Sequence, residues 1–276
     1  MKKKRDREEQ RRKLTLSPGV ESAKAALDAS PYDPDLWYAY GISLFRAAAY
    51  DEADAAFSQG LVYEPFHAYL YFGRGRAKTK ANRFWPGVAD FEMALRLDPE
   101  NWNFWYYLAT AYNMEGYGEE SVAGFENAIR YAAPEECYPM VDWMYQTCVL
   151  DLHDMERAKK ALSLIADGTT PPPMDYGYCR TVSLYKGLIS PENFIDIPDM
   201  EEKCIKKPGR IETELNGMYF GLYVYSTVIG DEALGRHAIE ELLRVARPAT
   251  FGCIKGMKVA RKMGLAAPEE NPAPTA

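Results

Sequence analysis

WYAYGISLFRAAAYDEADAAFSQGLVYEP, residues 37–65, decides the fold, because its order of bulky and small residues returns 34 residues later. In this stretch Trp37, Tyr40, Gly41 and Leu44 are followed by Ala53, Phe57, Gly60 and Pro65. Residues 71–99 repeat it with Tyr71, Gly75, Gly87, Phe91, Ala94 and Pro99, so that Pro65 and Pro99 are one period apart. A third copy runs through Trp105, Leu108, Ala109, Tyr112, Ser121, Phe125 and Ala128 and closes at Pro134, one residue late. Apolar residues at helical spacing on both sides of a short polar break make each copy two amphipathic helices. Gly41, Gly75 and Ala109 on the first helix face Ala53, Gly87 and Ser121 on the second, and such small residues let two helices approach closely. Phe57, Phe91 and Phe125 fill the space toward the next copy, and the prolines end each unit because they cannot continue a helix.

The local chemistry agrees with these boundaries. Pro34-Asp35 and Asp51-Glu52 open the two helices of the first copy, and Glu119-Glu120 opens the second helix of the third. Carboxylates there meet the positive end of the helix dipole. The order Trp, Leu, Gly, Tyr, then Ala, Phe and Pro over residues 31–134 resembles the tetratricopeptide repeat family. The expected fold class is all-α, a superhelical α-solenoid of helix-turn-helix repeats with a C-terminal capping helix.

Working outward, Gln146 and Ala158 keep the twelve-residue separation of Gly41 and Ala53, which marks a degenerate fourth unit. Gly221 and Ala233 repeat that separation within a fifth. The expected organisation is a basic flexible arm over 1–17, then an N-terminal helix with three regular units over 18–134. The fourth unit covers 135–168, an irregular helical connector 169–210, the fifth unit with the capping helix 211–264, and a disordered tail 265–276. Within the connector, Met174–Leu188 reads as a helix, Ser190-Pro191-Glu192 as the start of another, and Lys206–Gly209 as a loop; Pro248 ends the fifth unit.

Composition narrows the function. The chain has 276 residues and a net charge of −7, with eight Lys or Arg against three Asp or Glu in residues 1–13, so the remainder is more acidic still. An acidic body repels phosphate backbones, and no nucleic-acid partner is expected. Five scattered cysteines, Cys137, Cys148, Cys179, Cys204 and Cys253, encode neither a disulfide framework nor a zinc site. No apolar segment follows Lys13 as in a secretory signal, and no run is long enough for a membrane span. A reducing, cytoplasmic setting is the expectation.

Beyond residue 134, Trp143-Met144-Tyr145, Tyr185-Lys186-Gly187-Leu188-Ile189-Ser190 and Tyr219-Phe220-Gly221-Leu222-Tyr223 make the C-terminal half similar to the bacterial lipoprotein NlpI family. Those proteins are helical-repeat dimers that serve as adaptors. That family is anchored through a lipidated N-terminal Cys, whereas the first Cys here is Cys137. The resemblance therefore implies an adaptor able to form a homodimer, without implying an envelope location.

In tetratricopeptide arrays the first helix of each hairpin lines the binding groove. The residue after each Trp position is aromatic: Tyr38, Phe72, Tyr106 and, in the degenerate unit, Trp143. One helical turn further come Ile42, Arg76, Thr110 and Thr147. The expected ligand-binding residues are thus Tyr38, Phe72, Arg76, Tyr106, Thr110 and Trp143, with rings supplying rigid contact area and Arg76 fixing a carboxylate. The competing reading packs these rings inside the array. Where chaperone-tail members of the family clamp a C-terminal carboxylate with Lys and Asn, this chain has Tyr38 and Ile42, which disfavours that ligand.

Catalytic constellations are not encoded. His67, His153 and His237 have no Cys, Asp or Glu at metal-ligand spacing. Gly73 and Gly75 lie inside a helix pattern, with no preceding strand to form a phosphate loop. Acidic pairs such as Glu240-Glu241 read as solvated helix faces. The chain is expected not to be an enzyme, to need no cofactor or metal, and to bind a protein or peptide partner as an adaptor. A self-associating scaffold and an accessory subunit of a larger enzyme are the alternatives.

Overall fold

A computed structural model describes residues 19–204, 209–247 and 250–265. The basic arm, most of the loop expected at Lys206–Gly209, Pro248 and nearly all of the expected tail lie outside these residues. Among the described residues there are fourteen α-helices and no strand. No helix among them is long and apolar enough to cross a membrane. The chain divides into two compact units, one ending at Glu115 and the other beginning at Gly116. The division falls between the two helices of the third repeat.

The first unit contains α1 (Val20–Ala29), α2 (Pro34–Arg46), α3 (Tyr50–Tyr63), α4 (Ala68–Lys80), α5 (Phe84–Leu97) and α6 (Trp102–Glu115). Helices α2 with α3 and α4 with α5 form hairpins; α3 packs on α4, α5 on α6, and the first helices α2, α4 and α6 lie side by side. The 34-residue period is written into the backbone as well as the core. Each first helix starts on a side chain that accepts an N–H from its first turn. Asp33 accepts from Asp35 (2.9 Å), His67 Nδ1 from Leu70 (3.2 Å) and Asn101 from Asn103 (3.2 Å). Within the hairpins Ala48 and Asn82 take left-handed backbone, φ 61° and 58°. The indoles of Trp37 and Trp105 each donate to a carbonyl six residues upstream, Pro31 and Pro99, at 2.8 Å.

Close approach explains the small residues. A Cβ on Gly41 would lie 2.5 Å from the Phe57 ring, and one on Gly75 would lie 2.7 Å from Phe91. The rings of Phe57, Phe91 and Phe104 are completely enclosed, and each such ring contributes about 2 to 3 kcal/mol by leaving water.

The second unit contains α7 (Gly118–Tyr131), α8 (Tyr138–Thr147), a π-helical turn (Cys148–Leu152), α9 (Met155–Leu162), α10 (Tyr176–Tyr185), α11 (Ile197–Lys203), α12 (Arg210–Ile229), α13 (Glu232–Arg244) and α14 (Phe251–Lys262). Lys255 on α14 reaches Asp151 in the π-helical turn at 3.2 Å. Two expectations are corrected here. Ser190-Pro191 opens only a single 3-10 turn, Pro191–Asn193, because Asp196 caps a separate helix at Ile197 by accepting the Asp199 N–H. Gly221 does not meet α13 through Ala233, which is exposed. It gives way to Thr181 of α10, while Gly235 is the small residue that lets α13 approach Ser226 on α12.

Candidate functional site

Helix α4 carries four cations at alternate positions, Arg74, Arg76, Lys78 and Lys80. Residues two apart on a helix point about 200° apart and residues four apart share a face. The four therefore form two pairs on different faces. Arg74 and Lys78 meet the buried carboxylate of Asp90 on α5. The closest Arg74 contact is 2.6 Å and Lys78 Nζ stands at 2.8 Å. Arg74 also donates to Ser58 on α3, at 3.2 Å. This pair is neutralised within the protein and ties three helices together.

Arg76 has a different environment. Its guanidinium carbon stands 4.5 Å from the Phe45 ring centre, 5.0 Å from Tyr107 and 5.4 Å from Phe72. One ring comes from each of the three first helices α2, α4 and α6. Rings over a guanidinium attract it through their negative faces. The Nε of Arg76 has no hydrogen-bond partner among the described residues. Phe45, Arg76, Lys80 and Tyr107 are all half-buried. The Lys80 ammonium is drawn down to about 8, by burial first and then by the charge of Arg76.

Of the six residues expected to bind ligand, Arg76 and Tyr106 are in half-buried positions, Tyr106 standing edge-on to Tyr107 at 5.3 Å. The other four require correction. Tyr38 is 4% exposed, Phe72 3%, Thr110 1% and Trp143 3%. The position after the Trp points into the seam between neighbouring first helices, not out of it. There Tyr38 meets Phe57 and Tyr69 at 5.9 and 6.0 Å, and Phe72 meets Phe104 at 4.7 Å. The Thr110 hydroxyl donates back to the Tyr106 carbonyl at 2.8 Å, and Trp143 is enclosed in the second unit. Phe72 also stands against the Arg76 guanidinium, 5.4 Å from ring centre to carbon.

Phe45, Lys80 and Tyr107, which neighbour Arg76, were not among the expected residues. A signal existed for Tyr107, which stands two residues after Trp105 where the other copies have Ala39 and Gly73. His67 is buried as a helix cap, with Nε2 3.1 Å from Asp35. The thiols of Cys137 and Cys148 are pushed up to about 11, chiefly by burial, the wrong direction for a nucleophile.

The second unit holds a buried polar cluster where the repeat pattern breaks. Asp142 occupies the Trp position and Gln146 the Gly position of the fourth repeat. Gln146 Nε2 donates to Asp142 Oδ2 at 2.8 Å. Asp142 Oδ1, Gln146 Oε1, the Tyr185 hydroxyl and the Trp143 indole N–H have no hydrogen-bond partner among the described residues. Tyr185 stacks on Tyr145 at 4.0 Å. Burial pushes the Asp142 carboxyl up to about 8, against the opposing effect of the hydrogen bond from Gln146.

No family model matches the chain. Among curated proteins, the peroxisomal targeting signal receptors of Komagataella phaffii (strain GS115 / ATCC 20864) and Komagataella pastoris are each 31% identical over 104 residues, which is 37% of this chain and 18% of theirs. The chain thus spans less than a fifth of the length of these relatives. Among solved structures, a chain in the crystal structure of the APC/C hetero-tetramer Cut9–Hcn1 is similar at a TM-score of 0.55 and 13% identity, over 91% of this chain and 46% of that one. The fold is of the tetratricopeptide-repeat type. YrrB, described as a TPR protein with an unusual peptide-binding site, is similar at a TM-score of 0.49 and 13% identity, over 87% of this chain and 100% of that one.

Proposed function

We propose that this chain is an adaptor that binds an extended peptide segment of a partner protein along the open face of α2, α4 and α6. The observation that carries the reading is Arg76, held between three rings from three consecutive repeats with its Nε lacking a partner. Rigid aromatic area beside a pre-placed guanidinium suits peptide recognition, since little side-chain freedom is lost on binding. The Komagataella relatives are named as receptors for a targeting signal, and the matched segment supports the same class of activity here. Selection of the full-length chain against a displayed library of random 12-residue peptides tests the proposal. Peptides recovered on the wild type should bind Arg76→Ala at least about tenfold more weakly, with an unchanged melting temperature. Equal binding by the variant would reject Arg76 as the anchor.

A self-associating scaffold is the second reading, supported by the motif similarity to the NlpI family after residue 134 and by exposed Val228 and Ile229 at the end of α12. Light scattering that gives a monomer mass at high concentration would remove it.

A further inference from the structure

Three turns of the first unit lie at one edge of the array: residues 28–35 around the start of α2, 62–69 around that of α4 and 96–103 around that of α6. Two contacts place them side by side, His67 Nε2 standing 3.1 Å from Asp35 and Asn101 Nδ2 donating to the Tyr69 hydroxyl at 3.3 Å. The first two turns expose apolar surface. Tyr32 is 75% exposed, Phe66 one period later 76% and Val62 67%, and the half-exposed Tyr63 ring stands edge-on to Tyr32 at 5.5 Å. Among the described residues of this unit, the one other large apolar side chain so exposed is Trp85. The third turn has Glu100 where the others have Tyr32 and Phe66, so the patch ends there. The three turns also carry six carboxylates, Asp28, Asp33, Asp35, Glu64, Asp98 and Glu100, against one cation, Arg96. Asp28 meets Lys24 and Asp35 meets His67, whereas Glu64 and Glu100 make no ion pair among the described residues. Exposed rings beside carboxylates suit a segment that brings cations together with apolar side chains, because rings and carboxylates both attract a cation.

We propose that this edge is the docking site of the chain's own N-terminal segment, residues 1–18, which lies outside the described residues. That segment supplies the complementary chemistry, with eight Lys or Arg against three Asp or Glu in residues 1–13, and Leu14 and Leu16 directly after Arg11-Arg12-Lys13. Its reach suffices. Helix α1 packs antiparallel on α2 across a short turn, so the segment joins the chain at the opposite edge and returns along α1. The ten residues of α1 make that distance about 15 Å. The seven steps from Val20 back to Lys13 span about 24 Å when extended. Leu14 therefore reaches Tyr32, and Arg11 and Arg12 reach beyond it toward Glu64. A tether this short holds the segment at an effective concentration of about a millimolar, which favours docking within one chain over docking on a second copy.

The test places a photo-reactive benzophenone amino acid at position 66 of the full-length chain, irradiates it at low micromolar concentration and maps the linked peptides. Links from position 66 to residues 1–18 of the same chain are expected. Position 85, in the first turn of α5, lies at the edge where the segment joins, so undirected contact would favour it; few links are expected there. Glu64→Lys combined with Glu100→Lys should lower the ratio of linked to unlinked chain by about tenfold, the effect of removing two exposed ion pairs and adding repulsion, with an unchanged melting temperature. Arg11→Glu, Arg12→Glu and Lys13→Glu together, which alter none of the described residues, should do the same. Links at position 66 that are undiminished in both variants, that are no more frequent than at position 85, or that join two chains into a dimer overturn the proposal.

Discussion

Replacing Asp142 by Asn should remove a large part of the pH dependence of stability. In the folded chain this carboxyl titrates at about 8 because burial disfavours its charged form, whereas in the unfolded chain it titrates near 3.9. The native state therefore holds a proton that the unfolded state has released between those values. Its contribution to stability is complete below about pH 4 and is lost as pH rises through about 8, at roughly 1.4 kcal/mol per unit. Between about pH 5 and pH 7.5 the loss amounts to roughly 3 kcal/mol. Asn keeps the shape and the carbonyl that accepts from Gln146 Nε2 (2.8 Å in the wild type), and carries no charge at any pH. Urea unfolding of both proteins, followed by circular dichroism across this range, measures the difference. The wild type should lose about that much stability relative to Asp142→Asn as the pH rises, with the variant the more stable above pH 7. Asp175, raised to about 6 by burial and by Glu214, adds a slope of the same sign to both proteins and cancels in the comparison. Parallel stability profiles would refute the claim that Asp142 is held neutral.

Two further predictions concern the backbone frame. Ala48→Gly relieves left-handed backbone at an exposed position (φ 61°) and should raise stability by about 0.5 to 1 kcal/mol in thermal or urea melts. Asn82→Gly, at the equivalent turn, should gain less because Asn tolerates that conformation. Gly75→Ala places a Cβ 2.7 Å from the Phe91 ring and 3.1 Å from the Gly87 carbonyl oxygen. It should cost about 1 to 2 kcal/mol, since overpacking exceeds the gain in helix propensity, and an unchanged unfolding midpoint would contradict the packing described.

The hairpin frame was legible because its signal is local and repeated: Gly41 with Phe57 and Gly75 with Phe91 stand sixteen residues apart in each copy. Other parts of the same period were hidden by varied residue types. Asp33, His67 and Asn101 perform one capping task with three chemistries, and Ala48 and Asn82 share one backbone geometry. Arg76, expected at the face, stands half-buried, whereas Tyr38 and Phe72, expected beside it, are buried in the seam. Whether a residue on a first helix faces a neighbour or the open side depends on a helix 34 residues away, which periodicity within one helix does not reveal. The cluster around Arg76 draws on Phe45 from the preceding repeat and Tyr107 from the following one, so it exists only once the repeats are stacked. After residue 134, the substitution of Asp142 and Gln146 for the Trp and Gly of the motif left the helices in place and changed what they bury.

The central claim is that the open face of α2, α4 and α6 receives a peptide. A photo-reactive benzophenone amino acid placed in turn at Tyr107 on that face and at Trp85 on the second helix α5, itself 46% exposed, measures this directly with a peptide selected on the wild type. Cross-linking at position 107 and none at position 85 is the predicted result. Cross-linking at position 85 with none at position 107 would contradict the account.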